Sequence, residues 1–228
     1  MADLAGRLAA LRGRIDDACR QAGREPAAVS LLAVSKTFPA EAVQEAYAAG
    51  QRCFGESRQQ EAAPKIEVLP EDIEWHFIGG LQRNKVRKVV GAFPIIHSVD
   101  SLRLAEYLDR VAGEEGKRPQ IYLEVNIAGE SSKGGFSPEE LLASAAELAA
   151  FRHVEITGLM TIPPDDAAMA RHWFAATREL RDRLRAESGL ALPGLSMGMS
   201  ADFEDAVLEG STVVRVGSAL FGYRSYSA

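Results

Sequence analysis

Eight short apolar runs, each of strand length, alternate with helical stretches along this chain and limit what it can fold into. The runs are residues 29–34, 52–54, 75–78, 93–96, 121–127, 154–160, 194–197 and 212–216. Between them, stretches 39–49, 57–67, 82–90, 101–112, 138–150, 165–187 and 201–209 read as helices from apolar spacing and stop signals. Strands that alternate with helices imply parallel βαβ units. Near-continuous apolar runs fit strands covered on both faces. Eight units are the number that closes a (β/α)8 TIM barrel. An extra amphipathic N-terminal helix, residues 3–22, carries Leu4, Leu8, Leu11, Ile15 and Cys19 on one face and stops at Gly23. The expected fold is α/β, a single (β/α)8 barrel with that extra helix, using residues 1–228 as one domain. A doubly wound open sheet is the alternative, because runs 52–54 and 194–197 are weak. No GxGxxG or GxxxxGK[ST] signature follows any strand, which removes the usual nucleotide mark of an open sheet.

Charge and the N-terminal residues exclude several classes. With 26 Lys and Arg against 32 Asp and Glu, the net charge of −6 gives no overall bias toward nucleic acid or anionic lipid. Asp3, Arg7, Arg12 and Arg14 interrupt the first residues, so neither a signal peptide nor an anchor is expected. No window reaches the ~20 apolar residues of a membrane span. A cytoplasmic protein with Cys19 and Cys53 as reduced thiols is the expectation. Neither those two cysteines nor any histidine pair shows metal-ligand spacing, so no metal is expected.

In such barrels the chemistry lies at the C-terminal ends of the strands. Lys36 follows the first run and projects at the barrel mouth, where a desolvated amine acts as a nucleophile toward an aldehyde. The alternative is a lysine that snorkels to solvent. After strands seven and eight come Ser196-Met-Gly-Met-Ser200 and Val216-Gly-Ser-Ala219, small, hydroxyl-bearing and each leading toward a helix. Loops of this kind hold phosphate in barrels, although either alone reads equally as turn and N-cap chemistry. Together with Lys36 they point to a phosphorylated aldehyde. Arg215 sits inside the apolar run 213–216, where a charge needs a partner. That partner is either a carboxylate such as Glu124 or Glu155, or an acceptor on the ligand. Among the histidines, His76 reads as a core residue with one hydrogen bond, His97 is undecided, and His153 and His172 read as surface or packing residues. The basic run 83–88 reads as a solvated helix face.

The segments LLAVSKTFP (31–39), WHFIGGLQRNKVR (75–87), HSVDS (97–101) and LSMGMSADFEDAVLEGSTVVRVGSALFG (195–222) resemble the YggS/PROSC family of pyridoxal phosphate homeostasis proteins. The resemblance implies the barrel of the alanine racemase N-terminal domain, with pyridoxal 5′-phosphate held as a Schiff base on Lys36. It places Met199, Ser200, Gly217 and Ser218 around the phosphate and Arg215 against the pyridine nitrogen. The implied role is cofactor binding and vitamin B6 homeostasis without clear turnover, with PLP-dependent apoenzymes as candidate recipients and a monomeric state. An aromatic tail from Phe221 to Tyr226, and the basic run 83–88 on an otherwise acidic chain, are the surfaces that would argue for a partner. Two positions depart from the family pattern. Ser57-Arg58 stands in place of an Asn-Tyr pair, and Ser132-Lys133-Gly134-Gly135 replaces an SKSG loop, with Lys133 read as a solvated loop lysine. Two enzymes compete with this reading. An amino-acid racemase would need a second base from another domain, for which 228 residues leave no room. A sugar-phosphate enzyme working through a lysine imine would use Lys36 and the phosphate loops equally well.

Overall fold

The computed structural model describes residues 3–222. The eight strands are β1 (Ser30–Val34), β2 (Cys53–Glu56), β3 (Glu74–Phe77), β4 (Ile95–Val99), β5 (Gln120–Glu124), β6 (Glu155–Met160), β7 (Gly194–Ser196) and β8 (Val213–Val216). All pair in parallel and in sequence order, and β8 returns to pair with β1, so the sheet is a closed barrel rather than an open doubly wound sheet. The short runs β2 and β7 are therefore true staves, each held by neighbours on both sides.

Helices α1 (Leu4–Gln21), α2 (Ala40–Ala48), α3 (Gln59–Val68), α4 (Val86–Ala92), α5 (Leu102–Glu114), α6 (Pro138–Ala143), α7 (Ala145–Ala149), α8 (Ala170–Ser188), α9 (Phe203–Leu208) and α10 (Ser218–Phe221) surround the barrel. The N-terminal helix begins where the Asp3 side chain accepts from the Gly6 N–H at 2.7 Å, an N-cap. It buries Leu4, Leu8, Leu11, Ile15 and Cys19, the face expected from the sequence. Three helices differ from the expectation. The stretch 138–150 divides at Ser144, whose hydroxyl bonds back to the Glu140 carbonyl at 2.8 Å and competes with the helix. The helix expected from 165 starts at Ala170, since residues 167–169 form a turn in which Asp166 accepts from the Ala168 N–H with its side chain and from the Met169 N–H with its carbonyl, each at 3.0 Å. A 3-10 turn, Arg83–Lys85, precedes α4.

The core has two parts. The larger lies between barrel and helices and includes Phe54, Phe93, Phe174 and Phe203. A smaller one, built on Leu32, Ile95, Tyr122, Met160 and Val213, fills the barrel interior. Space for the Tyr122 ring comes from β7, where a Cβ at Gly194 would lie 2.7 Å from it, while Gly158 lets β6 approach β7, since a Cβ there would lie 1.8 Å from the Gly194 carbonyl oxygen. The interior is not wholly apolar, as the strand sequences had implied. In β3, Trp75 and Phe77 join the outer core while Glu74 and His76 turn to the polar side.

Candidate functional site

Past the C-terminal end of β1 the chain makes a turn closed by the Phe38 N–H on the Ser35 carbonyl at 3.0 Å. Lys36 occupies this turn and is exposed, so its amine is not desolvated by the protein alone. Thr37 has φ of +69°, a left-handed conformation that costs a β-branched residue on the order of 1–3 kcal/mol. Behind the turn is a buried polar anchor. Glu56, at the end of β2, accepts from the Ser35 hydroxyl at 2.7 Å and from Lys65 at 2.6 Å, and Lys65 also donates to the Ser35 carbonyl at 3.1 Å. Strand ends β1 and β2 and helix α3 are thereby fixed relative to one another beneath Lys36.

The loop after β7 depends on Gly198, whose φ is +92° and whose Cβ would lie 2.5 Å from the Ala206 Cβ. Asp202 accepts from the Met199 N–H at 2.6 Å, pinning the loop as it enters α9. Burial raises the Asp202 carboxyl against that bond and the charge of Arg215, which lower it. Across the gap, Ser200 Oγ accepts weakly from the Ala219 N–H at 3.4 Å, joining the β7 and β8 loops. Gly217 precedes α10, and Ser218 opens it with an exposed side chain.

Arg215 is buried in β8. Its Nη1 donates to the Ser196 carbonyl at 2.6 Å and the Ser196 hydroxyl at 2.7 Å, and its Nη2 donates to the Thr161 carbonyl at 2.9 Å. Neither Glu124 nor Glu155 bonds to it. Glu155 is exposed, and Glu124 acts on Arg215 only through space. The carboxylate ion pair is thus replaced by neutral oxygen acceptors. Burial pushes Arg215 down to about 10, still protonated near neutrality. Three of the five guanidinium N–H groups serve these bonds, leaving two for the cavity that Arg215 lines.

A cavity of about 360 Å³ at the mouth gathers Lys36, Met199, Ser200, Arg215, Gly217 and Ser218, all six residues singled out from the sequence. Val34, Ile78, Met160 and Ile162 add apolar wall, and among the described residues no carboxylate lines it. Two cations, two hydroxyls and an apolar wall suit a flat anionic ring compound.

The remaining candidates lie elsewhere or are committed. Ser57 and Arg58 line a separate cavity of about 440 Å³, and Arg58 pairs with Glu61 at 2.7 Å. Lys133 is not simply solvated: it donates to the carbonyls of Ile162 and Pro163, each at 3.2 Å, and pairs with Glu130. Arg87 of the basic run pairs with Glu114 and Glu115, and Arg83 stacks on Tyr107. His153 and His172 are exposed. Residues 223–226 of the aromatic tail lie outside the described residues.

Two histidines exceed what the sequence indicated. His97 is fully buried and lines the cavity, with Nδ1 2.8 Å from Ser196 Oγ and Nε2 2.9 Å from His76 Nδ1. Burial, His76 and Arg215 hold it well below the usual imidazole range, so it is neutral. Instead of one bond, His76 makes two, the second from Nε2 to Glu74 at 2.8 Å. The β3 alternation was the available signal, but nothing in the sequence paired His76 with His97.

This closed parallel barrel falls in the alanine racemase N-terminal domain class: the model of the family "Alanine racemase, N-terminal domain" matches residues 7–225. Full-length relatives narrow this. Pyridoxal phosphate homeostasis proteins of Aquifex aeolicus (44% identical over 96% of this chain and 98% of theirs) and Pseudomonas aeruginosa (45% over 100% and 99%) align with it. The PipY structure of Synechococcus elongatus with PLP bound superposes with a TM-score of 0.86 at 46% identity, covering 96% of this chain and all of that one. The chain belongs to the family of pyridoxal phosphate homeostasis proteins. Alanine racemase of Corynebacterium glutamicum shares the fold (TM-score 0.70, 20% identity, 97% of this chain and 63% of that chain).

Proposed function

We propose that this chain holds pyridoxal 5′-phosphate on Lys36 and serves intracellular PLP homeostasis without catalytic turnover. The observation that carries the reading is the single cavity shared by Lys36, Arg215, Ser200, Gly217 and Ser218. Its chemistry fits the group: an amine for an aldehyde, hydroxyl and backbone donors for a phosphate, apolar wall for a ring. When bound, the cofactor supplies an electrophilic aldehyde carbon for the Lys36 amine. The protein's share is positional. The Glu56–Lys65–Ser35 anchor holds the Lys36 turn, Met199, Ser200, Gly217 and Ser218 would hold the phosphate, and Arg215 would offer its remaining N–H donors to the ring nitrogen. An arginine facing that nitrogen keeps it unprotonated and makes the ring a poor electron sink.

Racemisation is the competing reading, favoured by the shared fold. It needs acid/base groups on both faces of the ligand. Among the described residues, the titratable side chains lining the cavity are Lys36, His97 and Arg215. Both ring nitrogens of His97 are engaged, and Arg215 keeps its proton. Relatives named as homeostasis proteins support the non-catalytic reading. We further read residues 1–228 as one cytoplasmic, monomeric cofactor-binding domain, with PLP-dependent apoenzymes as recipients; among the described residues no helix is long and apolar enough to cross a membrane.

Visible absorbance of the purified protein, with and without added cofactor, tests the reading. Wild type should show the band of the lysine-linked cofactor, and borohydride reduction should leave a pyridoxyl adduct on Lys36. A colourless wild type that gains no band with added cofactor overturns it. Chiral assay of alanine that reveals turnover abolished by Lys36→Ala would favour the racemase.

A further inference from the structure

At the end of the barrel opposite Lys36, three potential metal donors converge although the sequence shows no metal spacing. Cys53 begins β2, Glu74 begins β3, and His76 lies two residues further along β3. Their ligand atoms all fall within 4.8 Å of one another. Cys53 Sγ is 3.6 Å and His76 Nε2 2.8 Å from the same Glu74 oxygen. Donors around a tetrahedral zinc, at metal distances of ~2.0–2.3 Å, stand roughly 3.3–3.8 Å apart. The Cys53–Glu74 pair already has that spacing, and opening the His76–Glu74 hydrogen bond by about half an ångström brings the second pair to it.

We propose that Cys53, Glu74 and His76 form a three-ligand site for a borderline-soft divalent cation of the zinc class, with water in the fourth position.

Three features support this. The donor set, one thiolate, one imidazole and one carboxylate, selects zinc-like ions over magnesium or calcium. His76 already has an outer partner: its other ring nitrogen meets His97 at 2.9 Å, the arrangement that orients metal-bound histidines. Access also exists, since the Glu74 side chain is 51% exposed and Cys53 borders a groove of about 360 Å³ with Arg12, Asp16 and Gln51. On binding, the Cys53 thiol proton leaves to solvent. Glu74 remains a carboxylate, and neutral His76 shifts its single ring proton from Nε2, where it donates to Glu74, to Nδ1, freeing Nε2 for the metal. That proton then donates to His97 Nε2, and His97 Nδ1–H donates to Ser196. The site therefore sets the donor direction from His76 through His97 to Ser196 Oγ, which also accepts from Arg215.

Metal-stripped full-length holoprotein, titrated with zinc chloride against a chromogenic chelator, tests the site. The expected result is one zinc per chain, weakened at least ~10-fold by Cys53→Ser and by Glu74→Gln and unchanged by Cys19→Ala. Thermal melts in the absence of zinc establish that the variants fold. Cobalt provides a second readout: a thiolate-to-cobalt charge-transfer band in wild type, lost in Cys53→Ser. Absence of zinc uptake below millimolar concentrations overturns the proposal. So does uptake that neither substitution alters, or a cobalt spectrum without thiolate character. Since none of these signals depends on the cofactor, they can fail while the PLP reading stands.

Discussion

Lys65 Nζ lies 2.6 Å from Glu56 Oε1 in a pair whose side chains are 9% and 0% exposed. The same carboxylate oxygen receives the Ser35 hydroxyl, one residue before Lys36. A pair this deep costs desolvation on both sides, so its value lies less in net stability than in what happens when one member is removed. Lys65→Met leaves Glu56 buried and uncompensated and should cost about 3–5 kcal/mol in urea unfolding. The double variant Lys65→Met/Glu56→Leu should recover most of that. A single substitution that costs less than ~1 kcal/mol, as an exposed pair would, would show that the pair does not hold these strand ends.

Gly198→Ala addresses the other side of the mouth. The added methyl group would meet the Ala206 Cβ at 2.5 Å, on a backbone already at φ of +92°. Both effects destabilise, together by about 2 kcal/mol or more. The loop carrying Met199 and Ser200 should loosen with it. Melting temperature should fall, and bound PLP should be released faster in a stopped-flow trap experiment. A lower melting temperature with an unchanged release rate would separate the loop from cofactor retention.

The sequence made the mouth of this barrel readable but not its interior. Lys36, Ser200, Arg215 and Ser218 announced themselves because each breaks or follows an apolar run at a strand end, where barrels place their sites. The line from Glu74 through His76 and His97 to Ser196 did not, since its members are spread over β3, β4 and β7 and only closure of the sheet brings them together. Its trace was the alternation in β3, where polar Glu74 precedes Trp75 and His76 separates Trp75 from Phe77, in a run read from 75 to 78 as near-continuously apolar. Lys65 and Glu56 were hidden for another reason. A lysine on an amphipathic helix reads as solvated, and only packing of α3 over the strand ends buries it.

Ser196→Ala probes the interior line directly. The hydroxyl stands between His97 Nδ1 at 2.8 Å and Arg215 Nη1 at 2.7 Å. Without it, His97 loses a buried hydrogen-bond partner, a cost of about 1–3 kcal/mol. Arg215 keeps the Ser196 and Thr161 carbonyls, so the guanidinium should stay in place. Lower stability with cofactor stoichiometry unchanged is the expected outcome of denaturation and absorbance titration. Loss of cofactor binding would instead mean that the hydroxyl itself orients Arg215.

Acid stability should depend on Glu209, which accepts from Arg171 and Arg178, each at 2.6 Å, and ties α8 to the end of α9. Burial pushes its carboxyl upward, but the Arg171 hydrogen bond and the two arginine charges outweigh this and hold it below the ordinary carboxylate range. A carboxyl with a depressed folded pKa contributes stability that is fully present above its unfolded value, ~4.3. The contribution is lost as pH falls through the lower folded value. At pH 7, Glu209→Gln should therefore melt ~2–4 °C below wild type, as about 1 kcal/mol would produce in a chain of this length. Between about pH 5 and pH 3 the wild-type advantage should shrink and the two melting curves converge. A gap that stays constant to pH 3 would mean that Glu209 acts through packing rather than charge.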